Sequence, residues 1–306
     1  MARLPIVHHP DYDARFSPVH RFPMGKYTLL MNALRERGIV DRASLHRPGL
    51  APSNWLGLAH DRGYVDRVLT QRVPPVIERL IGFAVDERVA RRASLACAGT
   101  VLAARLALEE GLACNTAGGS HHARFEHGAG FCVFNDVAVA TEVLRAGGEA
   151  RRVLIIDADV HQGDGTARIF ADQPDVFTFS IHGAKNYPNA KETSDLDIEL
   201  ADGTGDEAYL ERLAAGLNEA LTRFPDTDFA FYLAGVDPHR EDRLGRLSMT
   251  DEGLARRDEM VLSALRERSI PTACVISGGY SRDMESLGRR HAIVFCVAEA
   301  LMQKLG

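Results

Sequence analysis

The segment Val153-Leu154-Ile155-Ile156-Asp157-Ala158-Asp159-Val160-His161-Gln162-Gly163-Asp164-Gly165-Thr166 decides how this chain is read. Its four leading apolar residues form a run expected of a buried strand, and the run ends in an Asp-x-Asp-x-His pattern. Side chains alternate along a strand, so Asp157, Asp159 and His161 are expected on one side. Three ionisable groups gathered beside apolar residues repel or go unpaired unless a cation compensates them. A divalent ion supplies that charge, and carboxylates with imidazole suit zinc. The plain alternative is an acidic strand end with a solvated histidine. Gly163, Asp164 and Gly165, which shape a tight site, weigh against it.

Working outward, Val176 to Ile181, Phe229 to Ala234 and Thr272 to Ile276 read as further buried strands. Helical periodicity fills much of the chain between them. One helix places Tyr209, Leu210, Leu213, Leu217, Ala220 and Leu221 on one face, with Thr204 and Glu207 spaced as a capping box. Others are expected over about 94–110, 251–268 and 290–301. Buried strands alternating with helices predict an α/β fold with a mostly parallel sheet between helices. With no internal repeat and no low-complexity linker, residues 1–306 are expected to form a single domain. In such sheets, ligands bind beyond the carboxyl ends of the strands.

Three more clusters fall at such places. Gly118-Gly119-Ser120-His121-His122 puts adjacent histidines after two glycines, and imidazole is the side chain best suited to proton transfer near neutral pH. Asp237, after the run 229–234, is a turn residue or a third metal ligand beside Asp159 and His161. Tyr280 follows Ser277-Gly278-Gly279, where its hydroxyl can donate to a developing oxyanion. By contrast, Gly203-Thr204-Gly205-Asp206-Glu207-Ala208 matches dinucleotide-loop spacing, but its own carboxylates, and those preceding it, oppose a pyrophosphate. Arg88, Arg91 and Arg92 read as a solvated helix face, and His8-His9 as a surface pair.

Composition bounds the function. The 306 residues carry 36 basic and 42 acidic side chains, a net charge of −6, which argues against non-specific attraction to nucleic acid or anionic lipid. No apolar run approaches a membrane span, and the N-terminus is a poor secretory signal. Five widely spaced cysteines suggest buried thiols in a reducing compartment, so a cytoplasmic protein is expected.

Taken in order, residues 118–123, 130–136, 157–166, 235–238 and 277–280 resemble the histone deacetylase superfamily, which includes acetylpolyamine amidohydrolases and acetoin-utilisation proteins. The resemblance runs from about His20 to the C-terminus. Residues 21–27 and 182–188, and Gln162 where many class I members carry a second histidine, look more like the class IV branch and its bacterial relatives. The resemblance implies an arginase/deacetylase-like fold and one Zn²⁺ held by Asp159, His161 and Asp237. It implies that Asp157 orients His121 and Asp164 orients His122, with Asp157 near a structural K⁺. Phe131 would wall an acyl-lysine tunnel, the Gly130 carbonyl would accept the substrate amide, and Tyr280 would face the scissile carbonyl. Gly278 and Gly279 would lie at the substrate.

The expected reaction is therefore zinc-dependent removal of an acyl group, acetyl or longer, from a lysine side chain or a small amine. His122 is expected to act as base and Tyr280 as oxyanion donor. Acetylpolyamine hydrolysis, a non-catalytic acyl-lysine binder and a dinuclear ureohydrolase are the alternatives. Nothing in the sequence selects the acyl length, the substrate protein or the oligomeric state.

Overall fold

Short apolar runs whose two faces both exclude water associate side by side, with more polar strands at the two edges. In the computed structural model, which describes residues 3–17, 19–41 and 44–304, they form one parallel sheet of eight strands. The strands are β1 (Ile6–Val7), β2 (Leu45–His46), β3 (Leu112–Asn115), β4 (Val153–Asp157), β5 (Val176–Gly183), β6 (Leu196–Leu200), β7 (Phe229–Leu233) and β8 (Thr272–Val275). Their order is β2-β1-β3-β8-β7-β4-β5-β6. All residues of β3, β4, β5, β7 and β8 are buried, as a sheet covered on both faces requires.

The cover comes from ten helices: α1 (Lys26–Glu36), α2 (Ser53–Ala59), α3 (Arg62–Leu69), α4 (Pro75–Ile81), α5 (Glu87–Glu110), α6 (Asp136–Ala146), α7 (Asp164–Phe170), α8 (Asp206–Arg223), α9 (Asp251–Glu267) and α10 (Met284–Gln303). Helix α5 packs on α6, while α1, α10, α9 and α8 pack in series; α5 and α10 both reach β3. No helix among the described residues is long and apolar enough to cross a membrane.

Register is what makes a site. Asn115 pairs with Val275, Val275 with Leu233, and Leu233 with Asp157. Four neighbouring strands thus stop level, and the loops carrying the His pair, Tyr280, Asp237 and the Asp-x-Asp-x-His segment leave the sheet side by side.

Several local expectations are corrected. Thr204 and Glu207 form no capping box: the N-cap of α8 is Gly205, the Thr204 hydroxyl donates to the Ala201 carbonyl (2.7 Å), and Glu207 pairs with Arg256. Arg88 and Arg91 are exposed, but Arg92 is buried, its Nε donating to the Tyr12 carbonyl (3.0 Å) and its Nη2 to the Tyr27 hydroxyl. His8-His9 is no surface pair; His9 is buried, and His8 Nδ1 lies 2.7 Å from the Thr116 hydroxyl. Four of the cysteines are buried and all five are free.

Candidate active site

The Asp-x-Asp-x-His residues converge, though by a different route from the one expected. Strand β4 ends at Asp157, and residues 158–163 leave it as an irregular loop. Carboxylates, acting as backbone acceptors, hold that loop. Asp157 Oδ1 accepts the Asp159 amide (3.1 Å), Asp159 Oδ1 the His161 amide (3.0 Å), and Asp237 Oδ1 the Val160 amide (2.9 Å). The same side chains that gather the charge also set its geometry.

His161 Nδ1 stands 3.0 Å from Asp159 Oδ1 and 3.2 Å from Asp237 Oδ2. Among the described residues, Asp159, His161 and Asp237 form the one group of three whose donor atoms are close enough to share a metal ion. Donors on a tetrahedral ion with bonds of about 2.0 Å stand about 3.3 Å apart, so the spacing suits zinc. Asp237 Oδ2 is buried without any hydrogen-bond partner. Burial and the Asp159 charge push the Asp237 carboxyl up to about 7; against the opposing effect of burial, the two carboxylates raise His161 to about 10. Two buried carboxylates and an imidazole this close give a donor set and a concentration of negative charge that both fit a divalent cation.

Asp159 is clamped from behind, its Oδ2 accepting the Ser277 hydroxyl and the Gly278 amide, both at 2.7 Å. A Cβ at Gly278 would lie 2.0 Å from Asp237 Oδ2, so only glycine allows this approach. Gly279 packs instead against Val236 and His291. Gly278 lines a small inner cavity together with His121, His122, Asp159 and Tyr280, while of this turn Tyr280 reaches the wider pocket outside it.

The His pair is held by two carboxylates of unlike surroundings. His121 Nδ1 lies 2.6 Å from Asp157 Oδ2, and His122 Nδ1 lies 2.6 Å from Asp164 Oδ1. Both Nε2 atoms point inward, 3.1 Å apart. Asp164 also accepts Arg124 Nη2 (2.9 Å), which shares its charge, whereas Asp157 has His121 as its sole cationic hydrogen-bond partner. Burial opposes protonation of both imidazoles. Asp157 and Asp159 overcome it and lift His121 to about 9, while burial and the neighbouring His121 cation drop His122 to about 4. A bound divalent ion would move both downward. The polarity, His121 richer in proton and His122 poorer, follows from burial of both rings with two carboxylates, Asp157 and Asp159, acting on His121.

Asp136 pins the turn before the pair. Its carboxylate accepts the Gly119 and Ser120 amides (3.2 and 2.8 Å) and the Thr100 hydroxyl (2.6 Å). Beyond the pair, the Asn135 amide donates to His60 Nε2 (2.9 Å), while His60 Nδ1 donates to the Arg124 carbonyl (2.9 Å). That arrangement fixes a neutral tautomer.

A pocket of about 360 Å³ opens onto His122, His161 and Tyr280. Gly130 and Phe131 line it on a left-handed turn (φ +52° and +67°), their amides donating to the Leu80 and Ile81 carbonyls at the end of α4. Phe131 stacks nearly parallel on Phe83, at 6.1 Å between ring centroids. Tyr187 also lines the pocket, edge-on to His122 at 4.8 Å. Burial and the Asp159 and Asp237 charges raise the Tyr280 hydroxyl far above its ordinary range, so it remains a proton donor.

Sequence reasoning missed several supports. Fully buried Arg257 donates through Nη1 to the Ala158 carbonyl (3.2 Å) and the Gly235 carbonyl (2.6 Å), tying together the loops that carry Asp159 and Asp237. Its other nitrogens hold Asp258 Oδ1. Buried Lys26 donates to the Ser277 carbonyl (2.9 Å), and burial lowers its ammonium to about 8. A lone Arg or Lys inside a helical pattern carries no local sign of such a partner. Gln162 spends its amide on the Glu192 backbone and Asp197, bracing the metal loop against β6 and the segment before it.

Comparison with known proteins agrees with this architecture. A family model described as the Histone deacetylase domain matches residues 20–296. An uncharacterized protein of Picosynechococcus sp. is 47% identical, over 95% of this chain and 96% of that protein. Histone deacetylase 2 of Arabidopsis thaliana is 29% identical, over 92% of this chain and 76% of its own length. The crystal structure of an HDAC homolog from Aquifex aeolicus matches with a TM-score of 0.81 at 23% identity, covering 98% of this chain and 84% of that one, a likeness of fold.

Proposed function

This chain belongs to the histone deacetylase family, and from that premise we propose that it is a zinc-dependent deacylase releasing acyl groups from lysine side chains or related amines. Residues 1–306 are read as one catalytic unit, since a single sheet draws strands from Ile6 to Val275. The observation that carries the reading is the unpartnered Asp237 Oδ2 facing Asp159 and His161 beside two inward-pointing imidazole nitrogens.

Asp159, His161 and Asp237 hold the zinc, which when bound polarises the acyl carbonyl and acidifies water. His122, its Nδ1–H donated to Asp164, keeps a lone pair on Nε2 and takes the proton of the attacking water. His121, kept proton-rich by Asp157, delivers a proton to the amine nitrogen as the C–N bond breaks. The Tyr280 hydroxyl donates to the carbonyl oxygen as charge builds there. The Gly130 carbonyl accepts the substrate amide N–H, and Phe131 and Tyr187 flank the aliphatic stem. The products are a carboxylate and a free amine.

The test is amine release from an acetyl-lysine peptide by protein of measured metal content, with and without a chelator. Turnover that stops on chelation and returns with zinc is expected. Metal-replete protein inert towards both short and long acyl chains would favour a binding protein and overturn the reading.

A further inference from the structure

The mouth of the pocket has a charge opposite to that of the protein as a whole. Besides the catalytic floor, its charged wall residues are Arg21, Arg79, Lys185 and Arg246, and no Asp or Glu lines it. All four are exposed, in a chain whose net charge is −6. They arrive from separate segments: Arg21 ahead of α1, Arg79 on α4, Lys185 after β5 and Arg246 ahead of α9. This is a ring of cations, not the polar face of one helix.

Neutralisation within the ring is partial. Asp202 accepts Arg246 Nε and Nη2 (3.0 and 2.8 Å) and lies 3.8 Å from Lys185 Nζ, so one carboxylate answers two cations. Arg21 and Arg79 have no carboxylate at ion-pair distance among the described residues. Arg79 stands beside Leu80, whose carbonyl holds the Gly130 turn (2.9 Å), so its position is tied to the pocket wall.

The floor takes the acyl group and the nitrogen, so whatever bears that amine must rest against this ring. On the proposed function, we infer that the site selects acyl-lysines set among aspartate and glutamate, and disfavours polycationic carriers such as lysine-rich segments and polyamines. A second ammonium or guanidinium close to the acylated amine meets arginines with no counter-charge, whereas flanking carboxylates supply the missing one. Complementary charge of this kind acts chiefly on association and on rejection of wrong partners.

Three acetyl-lysine peptides of equal length, flanked by acidic, neutral or basic residues, together with an N-acetylated diamine, test this. At low salt kcat/KM is expected to fall from acidic to neutral to basic peptide by about tenfold overall, the diamine grouping with the basic peptide. Raising salt to about 0.3 M should compress the order, because exposed charges are then screened within a few ångströms. The double reversal Arg21→Glu/Arg79→Glu should abolish or invert it. Equal or reversed kcat/KM across the peptides, or an order insensitive to salt, overturns the inference while leaving deacylation standing. An order kept by the folded double variant also overturns it. No turnover of any substrate by metal-replete protein overturns the proposed function, and this inference with it. The salt series on the unaltered protein keeps the test independent of how the variant folds.

Discussion

At the floor of the pocket, Asp157, Asp159, Asp164 and Asp237 are each no more than 4% exposed, and every one of them orders backbone amides, an imidazole or both; at the mouth, four cations stand in water with one carboxylate between them. Buried charges interact across a low effective dielectric and cannot be left unpaired without large cost. Exposed ones are screened and each contributes little. The difference teaches where single substitutions should tell: on the floor they change chemistry or metal retention, whereas at the rim only combinations are expected to show. Floor effects should also persist in high salt, where the rim effect fades.

Asp237→Asn should be the most severe change. It removes a charged donor from the three-residue cluster, so metal content should collapse and turnover fall to background; full occupancy by elemental analysis would break the comparison at its centre. His122→Ala should retain metal and lose about 10²–10⁴ in kcat, the usual contribution of a positioned base. Near-normal rates would move the base role elsewhere. Tyr280→Phe should cost about 10²–10³ in kcat, with zinc affinity almost unchanged, as expected for one oxyanion donor. If either kcat deficit shrank in high salt, the floor would be behaving as a rim.

Arg257→Met removes the tie between the loops carrying Asp159 and Asp237, and leaves Asp258 buried with the Tyr232 hydroxyl (2.6 Å) as its remaining side-chain partner. Metal affinity is expected to fall by about 10–100-fold, as for other groups that orient metal ligands. A chelator competition series measures it, and unchanged affinity would reduce Arg257 to a core ion pair.

His60 supplies an effect on stability alone, away from the chemistry. Burial lowers its folded-state pKa to about 4, below the ordinary 6.5, so protons bind the unfolded chain more readily. Its stabilising contribution is complete above about pH 6.5 and is lost as pH falls towards 4, by roughly 3 kcal/mol in all. Denaturant unfolding should therefore show the parent protein losing stability over that window more steeply than His60→Gln. Parallel profiles would mean that His60 is not held neutral by its two backbone partners.

Strands β4, β5, β7 and β8 were legible in the sequence because a buried parallel strand needs an unbroken apolar run, and residues 153–156 or 229–234 satisfy that locally. Strand β6 was not: Leu196-Asp197-Ile198-Glu199-Leu200 alternates at the sheet edge, and its carboxylates break the apolar run that marks a buried strand. The His pair, Asp159, His161, Asp237 and Tyr280 stood out because ionisable or glycine-flanked residues directly after apolar runs are costly unless used. Arg92 failed the same logic in reverse. Beside Arg88 and Arg91 it looks solvated, and only its partners Tyr12 and Tyr27, distant in sequence, bring it inside.

Hydrophobic periodicity and the cost of stranded charge already dictate the alternation of buried strand and helix, and the kinds of group that would meet at the strand ends. Packing alone set how those groups are poised: Asp157, Leu233, Val275 and Asn115 brought level by strand register, Gly278 pressed against Asp237, Asp157 and Asp164 set behind one imidazole each, and four cations distant in sequence gathered at one pocket. Each of these depends on contacts between residues far apart in the chain, and the geometry of such contacts is set by packing, which no local pattern encodes.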